Sequence, residues 1–440
     1  MSKGRASKTA YIGARLLDPA TGLDETGDIL TEDERIIGIG PNLFGGSPPS
    51  DAIVIDSNGL CASPGLIDMR VQIREPGEEH KESLRSAAEA AVAGGVTSMV
   101  CLPNTEPVLD DEATLEFVAR RARLQALTKV YAYGAATKGL AGKELAEYGL
   151  LADAGAVGFT DGTVAISNSQ VMRRVLSYAA TFDLLVIQHP EDPALAGTGV
   201  MNSGETATRL GLSGIPLEAE IIMLERDIRL VEMTGGRYHA AHISTAESVK
   251  IIASAKSRGL RVTCDTAPFY SALNELSVGD YRTFAKLSPP LRSEEDRQAI
   301  VEGLKTGVID VIASDHSPQD QDSKRLPFAQ AAFGGSGLET LLAVSLDLVH
   351  NEQLTLLEVL SKLTCVPADL LGLDAGRLRE GAPADLLFFD PDIGWKVIGD
   401  KFRSKSKNTP FDGRPVQGKV MRTVIDGRTV FKASPHANSA

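Results

Sequence analysis

GLIDMRVQ at residues 65–72 and VTSMVCL at residues 96–102 are two short runs rich in apolar and β-branched residues. Between them, residues 80–93 have the composition of a helix, and Gly94-Gly95 supply the residue type that commonly ends one. A strand, a helix and a second strand in this order are typical of a β/α unit, in which the two strands run parallel. The segment therefore predicts an α/β fold.

The same alternation continues along roughly 300 residues, the size of a (β/α)8 barrel. The predicted strands are residues 65–72, 96–102, 130–135, 157–160, 184–188, 238–243, 261–265 and 308–313. The predicted helices are residues 80–93, 111–127, 167–180, 217–233, 245–257, 293–305 and 337–348. A doubly wound open sheet is the alternative, but no G-x-G-x-x-G motif supports it. We therefore expect a (β/α)8 TIM barrel.

Both chain termini have a different pattern, in which short apolar runs alternate with tight turns. These runs are residues 9–17, 28–31, 36–39, 52–55, 385–389, 420–425 and 429–432. Asp426-Gly427 predicts a hairpin with a type I′ turn. We expect residues 1–62 and 376–440 to form one small β-sandwich domain, and residues 63–375 to form the barrel.

The composition limits the classes of partner and compartment. The 440 residues include 45 Lys and Arg against 58 Asp and Glu, a formal net charge of −13, and no basic tract suits a nucleic acid. No apolar run is long enough to predict a membrane span or a signal segment. The four cysteines are too far apart for a disulfide framework or a zinc knuckle, and they are Cys61, Cys101, Cys264 and Cys365. We expect a cytoplasmic protein.

Polar side chains follow several of the predicted strands at the end where barrel enzymes place their chemistry. Two carboxylates and two imidazoles are suitable ligands for a divalent cation, although each could also be an unrelated loop residue. They are Asp161 after the fourth strand, His189 after the fifth, His242 at the end of the sixth and Asp315 after the eighth. His239 would face the other side of its strand, which favours a structural role.

Longer motifs give the chain a resemblance to a known family. They include GLIDMRVQIREPG at residues 65–77, GFTDG at 158–162, HPED at 189–192, YHAAHIS at 238–244 and IDVIASDHSP at 309–318. The chain resembles the dihydroorotase family of the amidohydrolase superfamily over nearly its whole length. The resemblance implies a barrel with a small terminal sandwich. It also implies the reversible interconversion of N-carbamoyl-L-aspartate and dihydroorotate in pyrimidine synthesis.

The first strand departs from the family pattern, because active members carry His-x-His where this chain has Arg70 and Gln72. A guanidinium has no lone pair to donate to a metal, and an amide oxygen is a poor zinc ligand. The resemblance implies that one metal uses the two lost histidines with Asp161 and Asp315. The second metal uses Asp161, His189 and His242. Zinc at one residual site therefore remains an option, although we expect no cofactor.

The resemblance also assigns roles to other residues near the strand ends. Asp315 is the family's general acid or base, and Arg74 and Asn104 are its contacts to the substrate carboxylate. Other family positions differ, and these are Phe269 and Tyr270 for two histidines, Ser288 for an asparagine and Gln319 for a loop histidine. We expect Arg70 to form ion pairs with Asp161 and Asp315 in place of the metal.

Three functions follow from this comparison. The leading hypothesis is a catalytically silent dihydroorotase-like chain that supports the assembly or activity of the aspartate transcarbamoylase catalytic chain, as some inactive relatives do. The alternative is an active zinc-dependent dihydroorotase or cyclic amidohydrolase with a single metal. The third is an inactive barrel that binds a dicarboxylate through Arg74 and Asn104. A homo-oligomer is expected in each case.

Overall fold

The computed structural model describes residues 8–434, which form eighteen strands and fifteen α-helices. The strands are β1 (Lys8–Asp18), β2 (Leu23–Glu32), β3 (Arg35–Gly40), β4 (Ala52–Asp56), β5 (Cys61–Pro64), β6 (Leu66–Val71), β7 (Val96–Cys101), β8 (Lys129–Ala135), β9 (Ala156–Thr160), β10 (Leu185–Gln188), β11 (Met201–Asn202), β12 (Gly214–Ile215), β13 (Arg237–Ala240), β14 (Val262–Thr266), β15 (Val311–Ile312), β16 (Leu386–Lys396), β17 (Pro415–Ile425) and β18 (Arg428–Lys432).

The α-helices are α1 (Leu84–Ala93), α2 (Glu112–Gln125), α3 (Tyr148–Asp153), α4 (Ser169–Thr181), α5 (Pro193–Ala196), α6 (Glu205–Leu210), α7 (Glu218–Thr234), α8 (Ala246–Ser257), α9 (Pro268–Ala272), α10 (Glu294–Lys305), α11 (Gln321–Arg325), α12 (Leu341–Ser345), α13 (Asp347–His350), α14 (Leu356–Leu363) and α15 (Cys365–Leu371). Short 3-10 helices lie at Lys138–Leu140, Glu275–Val278, Thr283–Ala285, Leu338–Thr340 and Gly399–Lys401.

Eight strands form a nearly closed parallel barrel in the order β6-β7-β8-β9-β10-β13-β14-β15. The first and last strands meet just beyond β15, where Val71 bridges His316 and the Gln72 N–H donates to the His316 carbonyl at 2.9 Å. All residues of β6 and β7 are buried, as expected for strands covered on both faces. The predicted barrel is confirmed.

Strands from both ends of the chain form a second eight-stranded sheet in the order β18-β17-β16-β5-β1-β2-β3, with β4 also beside β1. It has its own buried cluster, which includes Tyr11, Leu16, Ile29 and Phe388. The predicted hairpin between β17 and β18 is confirmed, because Asp426 and Gly427 have the positive φ angles of 48° and 72° that a type I′ turn requires. The domain boundaries at residues 62/63 and 375/376 stay a prediction.

Several helical regions differ from the sequence prediction. The helix predicted at residues 337–348 is instead a 3-10 turn followed by α12 and α13. Thr340, between the 3-10 turn and α12, has φ of −110° and ψ of −2°. Helices α14 and α15 after the eighth strand are absent from the prediction. Among residues 8–434, no helix combines the length and the apolarity needed to cross a membrane.

Glu339 connects the barrel to the segment that precedes β17. Its carboxylate accepts hydrogen bonds from the backbone N–H groups of Arg403 at 2.7 Å and Ser404 at 3.2 Å. Burial raises the pKa of this carboxyl to about 7, and the two hydrogen bonds only partly oppose that effect.

The Glu339 carboxyl should make stability depend on pH near neutrality. Its folded pKa of about 7 lies above the ordinary value for Glu, so the folded state retains a proton that the unfolded state releases. We expect the free energy of unfolding to fall as pH rises from about 4 to about 7. Glu339→Gln, which keeps an acceptor oxygen, should flatten this dependence in urea titrations, whereas the exposed Glu302→Gln should not. Equal slopes in all three proteins would contradict the prediction.

Candidate active site

The mouth of the barrel contains a cavity of about 340 Å³. The side chains that line it come from the ends of several barrel strands and include Arg70, Gln72, Arg74, Asn104, His189, His242 and Asp315. Parallel strands that end at the same rim bring these distant parts of the chain together. Asp161, which directly follows β9, is buried beside this cavity but is not among the residues that line it.

Arg70 and Asp315 form a buried ion pair across the first and eighth strand ends. Nε of Arg70 donates to Oδ1 of Asp315 at 2.9 Å, and Nη2 donates to the Gly162 carbonyl at 3.3 Å. Arg70 is 2% exposed and Asp315 is 7% exposed, so water screens this attraction weakly. The predicted pairing of Arg70 with Asp315 is therefore present.

Asp161 has a different partner from the one predicted. Its two carboxylate oxygens accept from the backbone N–H of Thr137 at 2.8 Å and from the Thr137 hydroxyl at 2.5 Å. Burial raises the pKa of Asp161 to about 6 despite these bonds. Arg70 and Asp161 do not form the expected ion pair, because Thr137 supplies two donors that satisfy the carboxylate.

The two imidazoles extend the polar chain that begins at Arg70. Nδ1 of His242 lies 3.0 Å from Oδ2 of Asp315, and Nε2 of His242 lies 2.7 Å from Nδ1 of His189. Burial and the charge of Arg70 both lower the pKa of His242. Burial would raise the pKa of Asp315, but His242 and Arg70 together lower it to about 2. The result is a continuous run of contacts from Arg70 through Asp315 and His242 to His189.

Three residues that line the cavity have a strained backbone. Arg74, His242 and Asp315 have φ angles of 58°, 37° and 49°, in the left-handed region that non-glycine residues rarely adopt. Such strain persists only where surrounding structure holds it, and it is concentrated in functional sites. The strained backbone at the mouth is therefore typical of an active site.

In this arrangement the candidate zinc donors contact one another or other protein groups. Two nitrogen ligands of a tetrahedral zinc lie about 3.3 Å apart, whereas the facing nitrogens of His189 and His242 are 2.7 Å apart and share a hydrogen bond. Asp161 is bound to Thr137, and Asp315 is bound to Arg70. Within residues 8–434, no group of three or more His, Cys, Asp or Glu side chains is arranged to hold a metal.

The residues expected to hold a substrate carboxylate contact other protein groups. Nη1 of Arg74 donates to Oε2 of Glu78 at 2.9 Å, and Nδ2 of Asn104 donates to Oε1 of Gln72 at 3.2 Å. Gln72 in turn donates to the Ser317 hydroxyl at 3.0 Å. Gln72, at the position where the family pattern has a histidine, is thus part of a hydrogen-bond network in the cavity wall.

Other substituted positions form part of the wall and the core. Phe269 packs near Phe411 with ring centroids 5.5 Å apart, and the Tyr270 hydroxyl donates to the Pro289 carbonyl at 2.9 Å. Gln319 donates to the Phe333 carbonyl at 2.8 Å, and Ser288 lines the cavity. His239 is buried between Thr263 and Asp265, at 2.8 and 2.9 Å, as expected for a structural histidine.

Two residues of the site were not predicted from the sequence. Thr137 lies just beyond the third barrel strand, so the rule that found Asp161 and His189 could also have found it. Glu191 lies 3.7 Å from Nε2 of His189, and its Oε2 is buried without a hydrogen-bond partner among the described residues. Glu191 belongs to the HPED motif at residues 189–192, so its closeness to His189 in sequence is the signal that could have identified it.

Comparisons with known proteins identify the family and the fold. Residues 59–248 match the family described as Dihydro-orotase-like. A dihydroorotase from Geotalea daltonii is 47% identical over 420 residues, covering 96% of this chain and 98% of that protein. One from Anaplasma phagocytophilum is 45% identical over 427 residues, covering 96% and 95%. The structure of L-hydantoinase (dihydropyrimidinase) from Arthrobacter aurescens is similar with a TM-score of 0.87 at 25% identity, covering 97% of this chain and 96% of that chain.

Proposed function

Because the chain belongs to the dihydroorotase family, we propose that it is a member that has lost metal-dependent hydrolysis and instead supports aspartate transcarbamoylase. The observation that carries the first part is the buried ion pair between Arg70 and Asp315, at 2.9 Å. It provides a positive charge at the mouth of the barrel through a side chain that cannot bind a hydroxide ion.

Hydrolysis of an unactivated amide at neutral pH needs both a strong nucleophile and stabilisation of the developing oxyanion. A bound metal supplies both, because it lowers the pKa of its water from about 15.7 towards about 7 and acts as a Lewis acid. Arg70 can contribute charge alone. Both ring nitrogens of His242 are engaged, by Asp315 and by His189.

The arrangement also supports retention of the barrel as a scaffold. Removing a metal from a site built of carboxylates would leave buried charges without compensation, which is strongly unfavourable. Here Arg70 compensates Asp315, and Thr137 satisfies Asp161. Loss of catalysis therefore need not destabilise the fold.

The proposed partner is the catalytic chain of aspartate transcarbamoylase. The argument is the resemblance to inactive dihydroorotase-like chains that assemble with that enzyme and are needed for its assembly or activity. A homo-oligomer of this chain that binds the partner in the cytoplasm is part of the same proposal, with zinc absent from the site.

The alternative of an active hydrolase with one metal receives less support from the side-chain contacts. It requires Asp161 to leave Thr137 and the two imidazoles to separate from each other. The third hypothesis, a dicarboxylate sensor, requires Arg74 to leave Glu78.

The full chain should be co-expressed with the transcarbamoylase catalytic chain of the same organism. Zinc content, dihydroorotate turnover and complex mass are then measured on one sample. We expect less than about 0.1 zinc per chain, no turnover and a mixed complex. Turnover of about 1 per second or faster would overturn the loss of hydrolysis, with the Geotalea daltonii dihydroorotase as the positive control. Separate elution of the two proteins would overturn the role in assembly.

A further inference from the structure

A groove of about 790 Å³ lies between the terminal sheet and the barrel, away from the mouth of the barrel. It is bordered by β16, β17 and β18 on one side and by α12 on the other. We call it the basic groove, because five of its lining residues are cationic, and these are Lys396, Lys401, Arg403, Lys419 and Lys432. The residues of the mouth do not line it.

The charge of this groove is opposite to that of the whole chain. The chain has 58 acidic and 45 basic residues, yet Glu339 is the one acidic side chain among the described residues that line the groove. Lys396, Lys401 and Lys432 are exposed and form no ion pair with any described residue. Cations gathered in a concave surface raise the local concentration of anions.

Aromatic side chains add a flat apolar surface between these cations. Trp395 and Phe431 line the groove and are partly buried, whereas Phe402 is 8% exposed and packs in the hydrophobic core. The indole N–H of Trp395 donates to the Gly418 carbonyl at 2.8 Å, which fixes the orientation of its ring. The guanidinium carbon of Arg403 lies 5.2 Å from the centroid of the Phe431 ring. A ligand could therefore meet stacking surfaces and positive charges together.

We propose that the basic groove binds a nucleoside polyphosphate. A planar base suits the aromatic surface, and a polyphosphate suits the surrounding cations. The volume lies in the range of small-molecule sites, about 300–1,000 Å³. An acidic peptide would use the cations but would leave the aromatic rings without matching partners. This proposal goes beyond the function proposed above and does not depend on it.

Tryptophan fluorescence reports on this groove directly, because Trp395 is the only tryptophan in the chain. The full-length protein is titrated with ATP, with tripolyphosphate (charge without a ring) and with adenosine (ring without charge). We expect saturable quenching by ATP, with weaker binding of both fragments. ATP binding should also weaken as salt is added, because exposed charges are screened.

A pair of variants tests the location. Lys401→Ala with Lys432→Ala removes two cations of the groove, and we expect about tenfold weaker ATP binding. Lys143→Ala with Lys305→Ala removes two exposed lysines outside the groove and should leave the affinity unchanged. Calorimetry on the same proteins provides a second readout of affinity that does not depend on fluorescence.

Three results would overturn the proposal. The first is no saturable fluorescence change and no heat with ATP up to about 1 mM, the weak end of ligand affinities. The second is equal weakening of ATP binding in the two double variants. The third is tighter binding of a polyglutamate peptide than of ATP, which would assign the groove to an acidic protein segment. None of these results bears on turnover or on complex formation with the transcarbamoylase.

Discussion

Arg70→Met should lower the free energy of unfolding by about 3–5 kcal/mol, the usual cost of removing one partner of a buried ion pair. Asp315 is 7% exposed. After the change, His242 is the remaining side chain that forms a hydrogen bond with its carboxylate. The change also removes the hydrogen bond to the Gly162 carbonyl. The measurement is urea-induced unfolding, with the midpoint and slope compared at one pH.

Two further variants show whether the loss comes from the ion pair. Arg85→Met removes an exposed arginine that pairs with Glu89 on α1, and it should cost less than about 0.5 kcal/mol. In an Asp315→Asn background, Arg70→Met should cost at least about 1 kcal/mol less than in the parent protein. A cost below about 1 kcal/mol in the parent would mean that Arg70 does not compensate the buried carboxylate.

Restoring the two histidines of the first strand should restore metal binding without restoring turnover. Residues 70 and 72 are two apart on an extended segment, so Arg70→His with Gln72→His places both imidazoles on the same side. Loss of the guanidinium also frees Asp315. We expect about one zinc per chain and a higher melting temperature in the presence of zinc, because a metal that binds only the folded state stabilises it.

Turnover of dihydroorotate by this double variant should remain undetectable. Phe269 and Tyr270 occupy family histidine positions, and both are buried in the wall with 1% and 2% exposure. Zinc analysis and the hydrolase assay on the same sample test both parts, with Arg70→His alone as the matched control. Activity at ordinary enzyme rates would show that the first strand alone lacked what catalysis needs, and no gain of zinc would show that the remaining ligands are unavailable.

The sequence predicts the fold better than it predicts the segments after the eighth strand. Buried parallel strands produce continuous apolar runs, and the runs at 65–72 and 96–102 correspond to β6 and β7. The run predicted at residues 308–313 contains a strand of only two residues, Val311–Ile312. Irregular helices such as α12 and α13 depend on tertiary packing, which local periodicity does not report.

The sequence predicted the positions of the site residues and the contact of Arg70 with Asp315, but not the other contacts. Strand ends identify Asp161, His189, His242 and Asp315, because a barrel brings its strand ends to one rim. The hydrogen bonds from Thr137 to Asp161 depend on side-chain orientation, which residue spacing does not specify. His242, which contacts His189, has a positive φ of 37°. No sequence pattern predicts such a φ at a residue other than glycine.

The junction between the first and last barrel strands gives Arg70 a second consequence. That junction consists of the bridge from Val71 to His316, and the pair of Arg70 with Asp315 spans the same two strand ends one residue away on each side. The guanidinium therefore adds a side-chain link at the joint that closes the cylinder. Its contribution to closing the barrel does not depend on any chemistry at the mouth.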